Sequence, residues 1–376
     1  LWFAIDLSEA RAGTYKGSFS VLANGEKQTM PVKIKVSGEI VANHGYNEGS
    51  RLSRLSWLNS TAGMDEEVTK GYIPVKVDNR TVKILGRDLN IAPDGLPAEI
   101  HSYFINSNLA LSDKGEPVVN KPFRFIIEKA DGRLIRLTPG EINFTKNTPS
   151  KTAWTVLNSS DEFDLEVTGQ MEFDGFVDYH LKLTVKTPVK VKDIRLEVPV
   201  VREKAEYMMG LNHEGGYHTP AWRWKWDTSK NQDMVWTGSV TGGIRLKLKA
   251  ENYRRPLINV YYVFGPINLP PSWDNSHKGG VNIGQQGDDV VINAYSGSRE
   301  MKVGEVLNYD FELLITPFKL IDKNIKFDDR YFHGGGVNAA AKPEMAIKAG
   351  ANIINIHHAE DIYPFINYPY LDANVP

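Results

Sequence analysis

The stretch Met171-Glu-Phe-Asp-Gly-Phe-Val-Asp-Tyr179 decides the fold class. Its Asp174-Gly175 pair tolerates the positive φ of a tight turn, and apolar residues alternate with polar ones on either side. The stretch therefore predicts a β-hairpin. A second pair, Asp131-Gly132, lies between Ile127 and Leu134 and predicts another hairpin of the same kind.

Short β patterns continue from about residue 71 to residue 318. Roughly 15 predicted strands without a long helical pattern are typical of a large two-sheet sandwich. Among the predicted strands are residues 123–127, 179–185, 194–198, 244–248, 257–264, 290–294 and 309–315. We therefore assign residues 62–320 to one large antiparallel β-sandwich of the supersandwich type.

The residues before this sandwich give a weaker pattern. Asn24-Gly25 predicts a hairpin, but at most three strands are visible, too few for an independent sandwich. Residues 1–40 are therefore predicted to be the C-terminal part of a small Ig-like β-sandwich. Residues 41–61 combine Gly and Ser with Leu and Trp side chains, and we interpret them as a docked linker.

The pattern changes after Pro317. Residues 338–350 predict a short helix with Gly350 as its C-cap, and the apolar residues that follow predict a buried parallel strand. With a strand beginning at Tyr331 they would form one βαβ unit, which cannot bury its own core. Residues 321–376 are therefore predicted to be the first βαβ unit of a truncated (β/α)8 barrel, with the rest of the chain supplying the remainder.

The composition excludes several classes of protein. Lys plus Arg number 44 against 46 Asp plus Glu, so a phosphate-binding nucleic-acid surface is not expected. No apolar run approaches the roughly 18–20 residues of a transmembrane segment. The lack of cysteine removes disulfides, thiolate nucleophiles and Cys-ligated zinc together. We expect no cofactor.

Five motifs spread over most of the chain are similar to the family-123 glycoside hydrolases and their relatives. They are Ala10-Arg-Ala-Gly-Thr-Tyr-Lys-Gly, Arg54-Leu-Ser-Trp-Leu-Asn, Asp174-Gly-Phe-Val-Asp-Tyr, Trp236-Thr-Gly-Ser-Val-Thr-Gly-Gly-Ile-Arg-Leu-Lys-Leu-Lys and Phe332-His-Gly-Gly-Gly. The resemblance implies secreted glycan degradation, with N-acetylgalactosamine-containing or related sugars as substrates. It also implies an adjacent Asp-Glu pair on a barrel strand. Residues 321–376 contain no such pair, and Glu360-Asp361 has the reverse order, so the catalytic residues stay unassigned.

The most informative candidate site residues are three alternating tryptophans, Trp222, Trp224 and Trp226. On a strand their indoles would share one face, which can stack on the apolar faces of sugar rings. Two interpretations stay open: a sugar-binding platform, or packing between sheets, which large aromatic residues adopt more often. The interleaved Arg223, Lys225 and Asp227 would point the other way, towards solvent.

Two loops carry further candidates. His213, Glu214 and His218 offer metal ligands, but their irregular spacing favours loop hydrogen bonding, and no metal is expected. Trp273 and His277 lie in a turn-rich segment that would expose them for sugar binding. The alternative is an ordinary loop held in place by one buried tryptophan.

The predicted barrel supplies the last candidates. His333 follows its first strand, and His357, His358, Glu360 and Asp361 follow its second. Functional groups of such barrels lie at the C-terminal strand ends, where the loops converge. We therefore hypothesise that these residues hydrogen-bond sugar hydroxyls. The alternative is a histidine pair satisfied by the backbone beside solvated acids.

The expected fold class is thus mainly β: a partial Ig-like sandwich, a large antiparallel β-sandwich and a truncated barrel start. The leading hypothesis is a bacterial glycoside hydrolase that is secreted, periplasmic or attached to the outer membrane, with its signal segment outside this sequence. Its partner would be an oligosaccharide or polysaccharide. This chain would carry mainly the non-catalytic sandwich region and be inactive alone. A carbohydrate-binding protein without catalysis and a structural or adhesion sandwich are the alternatives.

Overall fold

The computed structural model describes residues 5, 7, 9–38, 40, 66–227, 232–249, 269–333 and 343–355. The chain divides into two compact units, one of residues 1–65 with 329–376 and the other of residues 66–328. The predicted linker and the predicted strand at 257–264 lie outside the described residues. None of the helices within the described ranges has the length and apolar character needed to cross a membrane.

The N-terminal hairpin is formed by β1 (Gly13–Ala23) and β2 (Glu26–Val36). The two strands pair antiparallel along their whole length, from Gly13↔Val36 to Ala23↔Glu26. Asn24 and Gly25 take positive φ angles of 52° and 83° between them, which confirms the predicted two-residue turn.

Residues 66–328 form the large sandwich from three sheets. A five-stranded sheet contains, in order, β3 (Lys76–Asp78), β4 (Thr81–Ile84), β5 (Arg87–Ile91), β6 (Pro97–Phe104) and β7 (Leu111–Val119). A ten-stranded sheet has the order β10 (Thr138–Pro139), β12 (Lys151–Ser159), β13 (Phe163–Glu172), β14 (Phe176–Val185), β24 (Asp310–Thr316), β19 (Gly243–Lys249), β18 (Met234–Gly238) and β16 (Tyr207–Gly210), with β11 (Asn143–Asn147) beside β12 and β23 (Val306–Asn308) beside β14. A seven-stranded sheet has the order β17 (Ala221–Lys225), β20 (Gly280–Gln286), β21 (Asp289–Tyr295), β15 (Val189–Val201), β8 (Arg124–Lys129) and β9 (Leu134–Ile135), with β22 (Arg299–Met301) beside β15.

Short helices interrupt the strands. They are a 3₁₀ turn at Arg202–Lys204, α1 (Pro271–Asp274) and α2 (Lys323–Asp328). Between Lys76 and Thr316 the described residues hold 22 strands. This exceeds the roughly 15 predicted, because strands of two or three residues are too short to show a period of two.

The two largest sheets bury one common core. Alternate residues of the ten-stranded sheet, such as Tyr179 and Phe311, and of the seven-stranded sheet, such as Leu196 and Ile292, are fully buried in it. This is the arrangement of a β-sandwich, in which inward and outward residues alternate along each strand. The expected mainly-β sandwich is therefore confirmed.

The two internal hairpins also have the predicted turns. Gly132 between β8 and β9 has a φ of 86°, and Gly175 between β13 and β14 has a φ of 92°. Only Gly adopts this backbone region without steric cost. Both turns follow directly from the local sequence.

One buried arginine ties the five-stranded sheet to the ten-stranded one. Arg87 on β5 is 1% exposed. Its guanidinium donates to the carbonyl oxygens of Leu85, Asp174, Ile315 and Phe318 at 2.8–2.9 Å. Burial lowers the pKa of Arg87 to about 10, so the group stays charged at neutral pH. Its hydrogen bonds replace the water lost on burial.

The last described elements form the predicted strand–helix–strand unit. β25 (Tyr331–His333) pairs parallel with β26 (Ile353–Asn355), and α3 (Pro343–Lys348) lies between them in the chain. Gly350 takes a φ of 88° after the helix, as expected of a C-terminal cap. The boundaries proposed for the individual domains stay predictions.

Candidate functional site

The alternating tryptophans lie on the inner side of the seven-stranded sheet. Trp224 and Trp226 are 4% and 6% exposed, and their rings meet edge to face with centroids 4.7 Å apart. Trp222 is partly buried, packs against the same core and donates its Nε1–H to Leu211 O at 2.9 Å. This placement favours the packing interpretation over a sugar platform, because the indole faces are already covered by protein.

The structure corrects the prediction made for the segment after Pro270. Trp273 is fully buried, stands edge-on to Tyr309 with ring centroids 4.8 Å apart, and donates to Asp310 O at 2.9 Å. The expected exposure of Trp273 is therefore wrong, and the alternative of a buried anchoring residue fits. His277 is exposed and its Nδ1 lies 3.3 Å from Asp274 Oδ1.

The His213 loop has the character of a hydrogen-bonded loop. The His213 ring meets Trp222 edge-on with centroids 5.1 Å apart, and its Nδ1 accepts from Gly215 N at 3.3 Å. Burial, and then the neighbouring His213, lower the pKa of His218. The described residues contain no group of three or more His, Cys, Asp or Glu side chains arranged to hold a metal ion.

Of the candidate residues in the predicted barrel, His333 alone lies within the described residues. His333 is the last residue of β25, as predicted for the end of a first barrel strand. His357, His358, Glu360 and Asp361 lie outside the described residues, so their contact with sugar hydroxyls stays a prediction.

A groove lies on the opposite side of β17 from the buried indoles, over β20 and β21. Its volume is about 620 Å³. We call it the outer groove and define it by its lining residues: Ala221, Trp222, Arg223, Trp224, Lys225, Asn282, Ile283, Gly284, Gln285, Gln286, Val291, Asn293 and Tyr295. Saccharide-sized ligands bind in concave sites of this size that carry a few convergent polar groups.

Strand register builds the outer groove from two rows of side chains. Arg223 is paired with Asn282, which is paired in turn with Asn293. Directly paired residues of antiparallel strands project from the same face, so these three polar side chains are neighbours. In the next row Gly280 stands between Lys225 and Tyr295.

Gly280 has no side chain, so the side chains of Lys225 and Tyr295 can meet across it. A Cβ at this position would lie 2.9 Å from Tyr295 Oη and 3.1 Å from Lys225 Cδ. Without it, Lys225 reaches across the strand so that its Nζ lies 4.8 Å from the centre of the Tyr295 ring. The same Nζ donates to Lys278 O at 2.9 Å. This cation–π contact fixes both side chains at one edge of the outer groove.

Two polar groups of the first row lack protein partners. Asn293 Oδ1 is buried without a hydrogen bond in the described part of the chain. Arg223 forms no hydrogen bond or ion pair with any other described residue. Buried polar atoms are normally satisfied, so an acceptor left over in a groove is suited to a ligand donor or water.

The charge of the outer groove is one-sided. Arg223 and Lys225 are cations, and none of the described residues that line the groove is a carboxylate. Two acids are paired in the register with lining residues: Glu197 stands opposite Asn293 and Asp289 opposite Gln286. Glu197 is bound by Arg195 at 3.0 Å and by Arg124, and Asp289 is bound by Lys121, so both negative charges are compensated.

The sequence predicts that Arg223 and Lys225 face solvent but does not identify them as site residues. The available signal was the alternation itself, since residues between buried tryptophans must face outwards. Asn282, Asn293 and Tyr295 follow the same rule between the buried residues of β20 and β21. Their meeting with Arg223 depends on register and has no local signal.

The protein is therefore mainly β. A large antiparallel sandwich with an open polar groove is followed in the chain by a short parallel βαβ unit of the kind that begins a barrel. Residues 75–317, well over half of the chain, match the family model "Glycoside hydrolase 123, third domain". Residues 322–375 match the model "Glycoside hydrolase 123, TIM-barrel domain". The chain belongs to glycoside hydrolase family 123. It is therefore a carbohydrate-active protein, and its family implies a glycan substrate.

Solved structures resemble the chain only distantly. A galactose mutarotase related enzyme from Lactobacillus acidophilus is 7% identical, with a TM-score of 0.37 over 66% of this chain and 98% of that one. A GalM/aldose epimerase homologue from C. elegans is 8% identical, with a TM-score of 0.36 over 65% and 98%. Heparan sulfate lyase HepC from Pedobacter heparinus is 7% identical, with a TM-score of 0.32 over 65% and 35%. TM-scores this low carry no argument. No curated protein matches the chain.

Proposed function

We propose that the described sandwich is a non-catalytic, saccharide-binding region of a glycoside hydrolase, and that bond cleavage belongs to the barrel domain. The observation that carries this proposal is the lack of carboxylates among the described lining residues of the outer groove. Glycosidases generally place two carboxylates about 5–9.5 Å apart around the scissile bond. A groove of cations, amides and one tyrosine can hold a sugar but lacks the carboxylate pair that most glycosidases use.

The barrel segment has the complementary chemistry. Residues 322–375 carry the match to the barrel model, and they include Glu360, Asp361, His357 and His358. We propose that these side chains contact substrate hydroxyls at the C-terminal ends of barrel strands. We further propose an exported bacterial protein, which cell fractionation of the source organism with an antibody against this chain would test.

The test of the proposed function measures hydrolysis and binding on the same purified chain. We expect no release of nitrophenol from nitrophenyl N-acetylgalactosaminide, and measurable saccharide binding by calorimetry. Release of nitrophenol by the purified chain would contradict the proposal. Neither hydrolysis nor binding of any glycan would leave an adhesion sandwich as the better interpretation.

A further inference from the structure

Two cations line the outer groove, Arg223 and Lys225. Arg223 presents a guanidinium that no other described residue pairs, and Lys225 adds a second cation one row away. Successive residues on one face of a strand are about 6.6 Å apart along the strand, so both cations lie within the reach of one saccharide unit and its neighbour. Neutral sugars need no such charge.

The remaining lining residues are suited to sugar hydroxyls. Asn282, Asn293, Gln285 and Gln286 supply amide donors and acceptors, and Asn293 Oδ1 is buried without a partner in the described structure. Amide side chains bind hydroxyl groups in either direction because each has both a donor and an acceptor. Amides that bind hydroxyl groups, beside an uncompensated positive charge, are suited to an anionic saccharide.

We propose that the outer groove binds an acidic saccharide, with Arg223 as the direct partner of its carboxylate or sulfate and Lys225 as a second positive group. This inference rests on the proposed function and names the class of glycan that the groove prefers. Arg suits this role because its planar guanidinium can bind a carboxylate or sulfate through two parallel hydrogen bonds.

The experiment compares three tetrasaccharides by calorimetry with the purified chain. One alternates hexuronic acid and N-acetylhexosamine, the second is its O-sulfated form, and the third is its carboxyl-reduced, neutral form. We expect at least one acidic form to bind fivefold to tenfold more tightly than the neutral form, about the gain of one charge-assisted hydrogen-bonded pair. This preference should shrink as salt screens the groove.

Two variants assign the effect to the outer groove. Arg223→Gln keeps a polar side chain with N–H donors but removes the positive charge, and should reduce binding of the acidic form to that of the neutral one. The matched control is Arg133→Gln on the exposed β8–β9 turn, where the side chain is 73% exposed and lies 2.8 Å from Asp131. It makes the same change in net charge and should leave all three affinities unchanged.

Each other outcome overturns a different statement. Equal affinity for all three tetrasaccharides would overturn the acidic preference and leave saccharide binding by the sandwich standing. Equal losses in Arg223→Gln and Arg133→Gln would mean attraction by net charge and would overturn the groove as the site. Binding of none of the three, with other glycans also unbound, would overturn the proposed function itself.

Discussion

Substitution of Trp224 tests whether the tryptophans of β17 belong to the core or to a sugar platform. The indole is 4% exposed and lies in the core shared by the two large sheets, against Trp226. Removing a buried Trp side chain deletes its apolar contacts and leaves a cavity, which costs about 3–5 kcal/mol. For a unit the size of residues 66–328, Trp224→Ala should therefore lower the Tm by about 6–20 °C.

Trp224→Phe provides the matched variant. The Trp224 Nε1 is buried without a hydrogen-bond partner in the described structure. An unsatisfied buried donor costs about 1–3 kcal/mol, so its removal offsets part of the smaller cavity that Phe leaves. We expect Trp224→Phe to cost less than half of what Trp224→Ala costs.

The assays are thermal melts and urea unfolding, both followed by far-ultraviolet circular dichroism, since indole fluorescence itself changes with the substitution. Arg223→Gln, the neighbouring residue on the outer face, serves as the control and should stay within about 0.5 kcal/mol of the wild type. A Trp224→Ala protein that is as stable as the wild type but no longer binds saccharide would contradict the placement of Trp224 in the core. That result would make the indole a platform.

Two further predictions concern the framework of the sandwich. Arg87→Met should lower the free energy of unfolding by about 3–5 kcal/mol in the same urea assay, because its carbonyl partners lose their donor in the core; Arg87→Lys should lose less, and equal stability of all three proteins would contradict the proposed tie. Hydrogen bonds to Asp178 and Asp310 raise the pKa of His180 from 6.5 to about 10. The stability that protonated His180 adds to the folded state is thus complete below pH 6.5 and is lost as the pH rises through 10. Thermal melts at several pH values should show the stability difference between wild type and His180→Asn shrinking over this range from at most about 1 kcal/mol, since the half-exposed imidazole is screened by solvent; a constant difference would argue against the ion pairs.

The parts of the fold that the sequence predicts are those with local causes. Asn24-Gly25 and Asp174-Gly175 form their turns because the residues themselves tolerate positive φ, whatever lies elsewhere. The burial of Trp273 has a distant cause, since its partners Tyr309 and Asp310 follow about 36 residues later. The turn-rich segment therefore correctly predicts a connection between strands, but not its helix α1 or the burial of its tryptophan.

The candidate site shows the same division at a finer scale. One alternation along β17 sends Trp222 and Trp224 inwards and Arg223 and Lys225 outwards. The sequence therefore locates the strand that carries the site, while the search for sugar-binding aromatics selects the wrong face of it. Because the inward residues supply the packing energy, the outward ones can be exchanged at little cost to stability. A sandwich of this kind can thus change the charge of its groove, and with it the glycan it holds, without changing its fold. We accordingly expect Arg223→Gln to alter ligand preference alone, whereas Trp224→Ala alters stability first and binding only as a consequence.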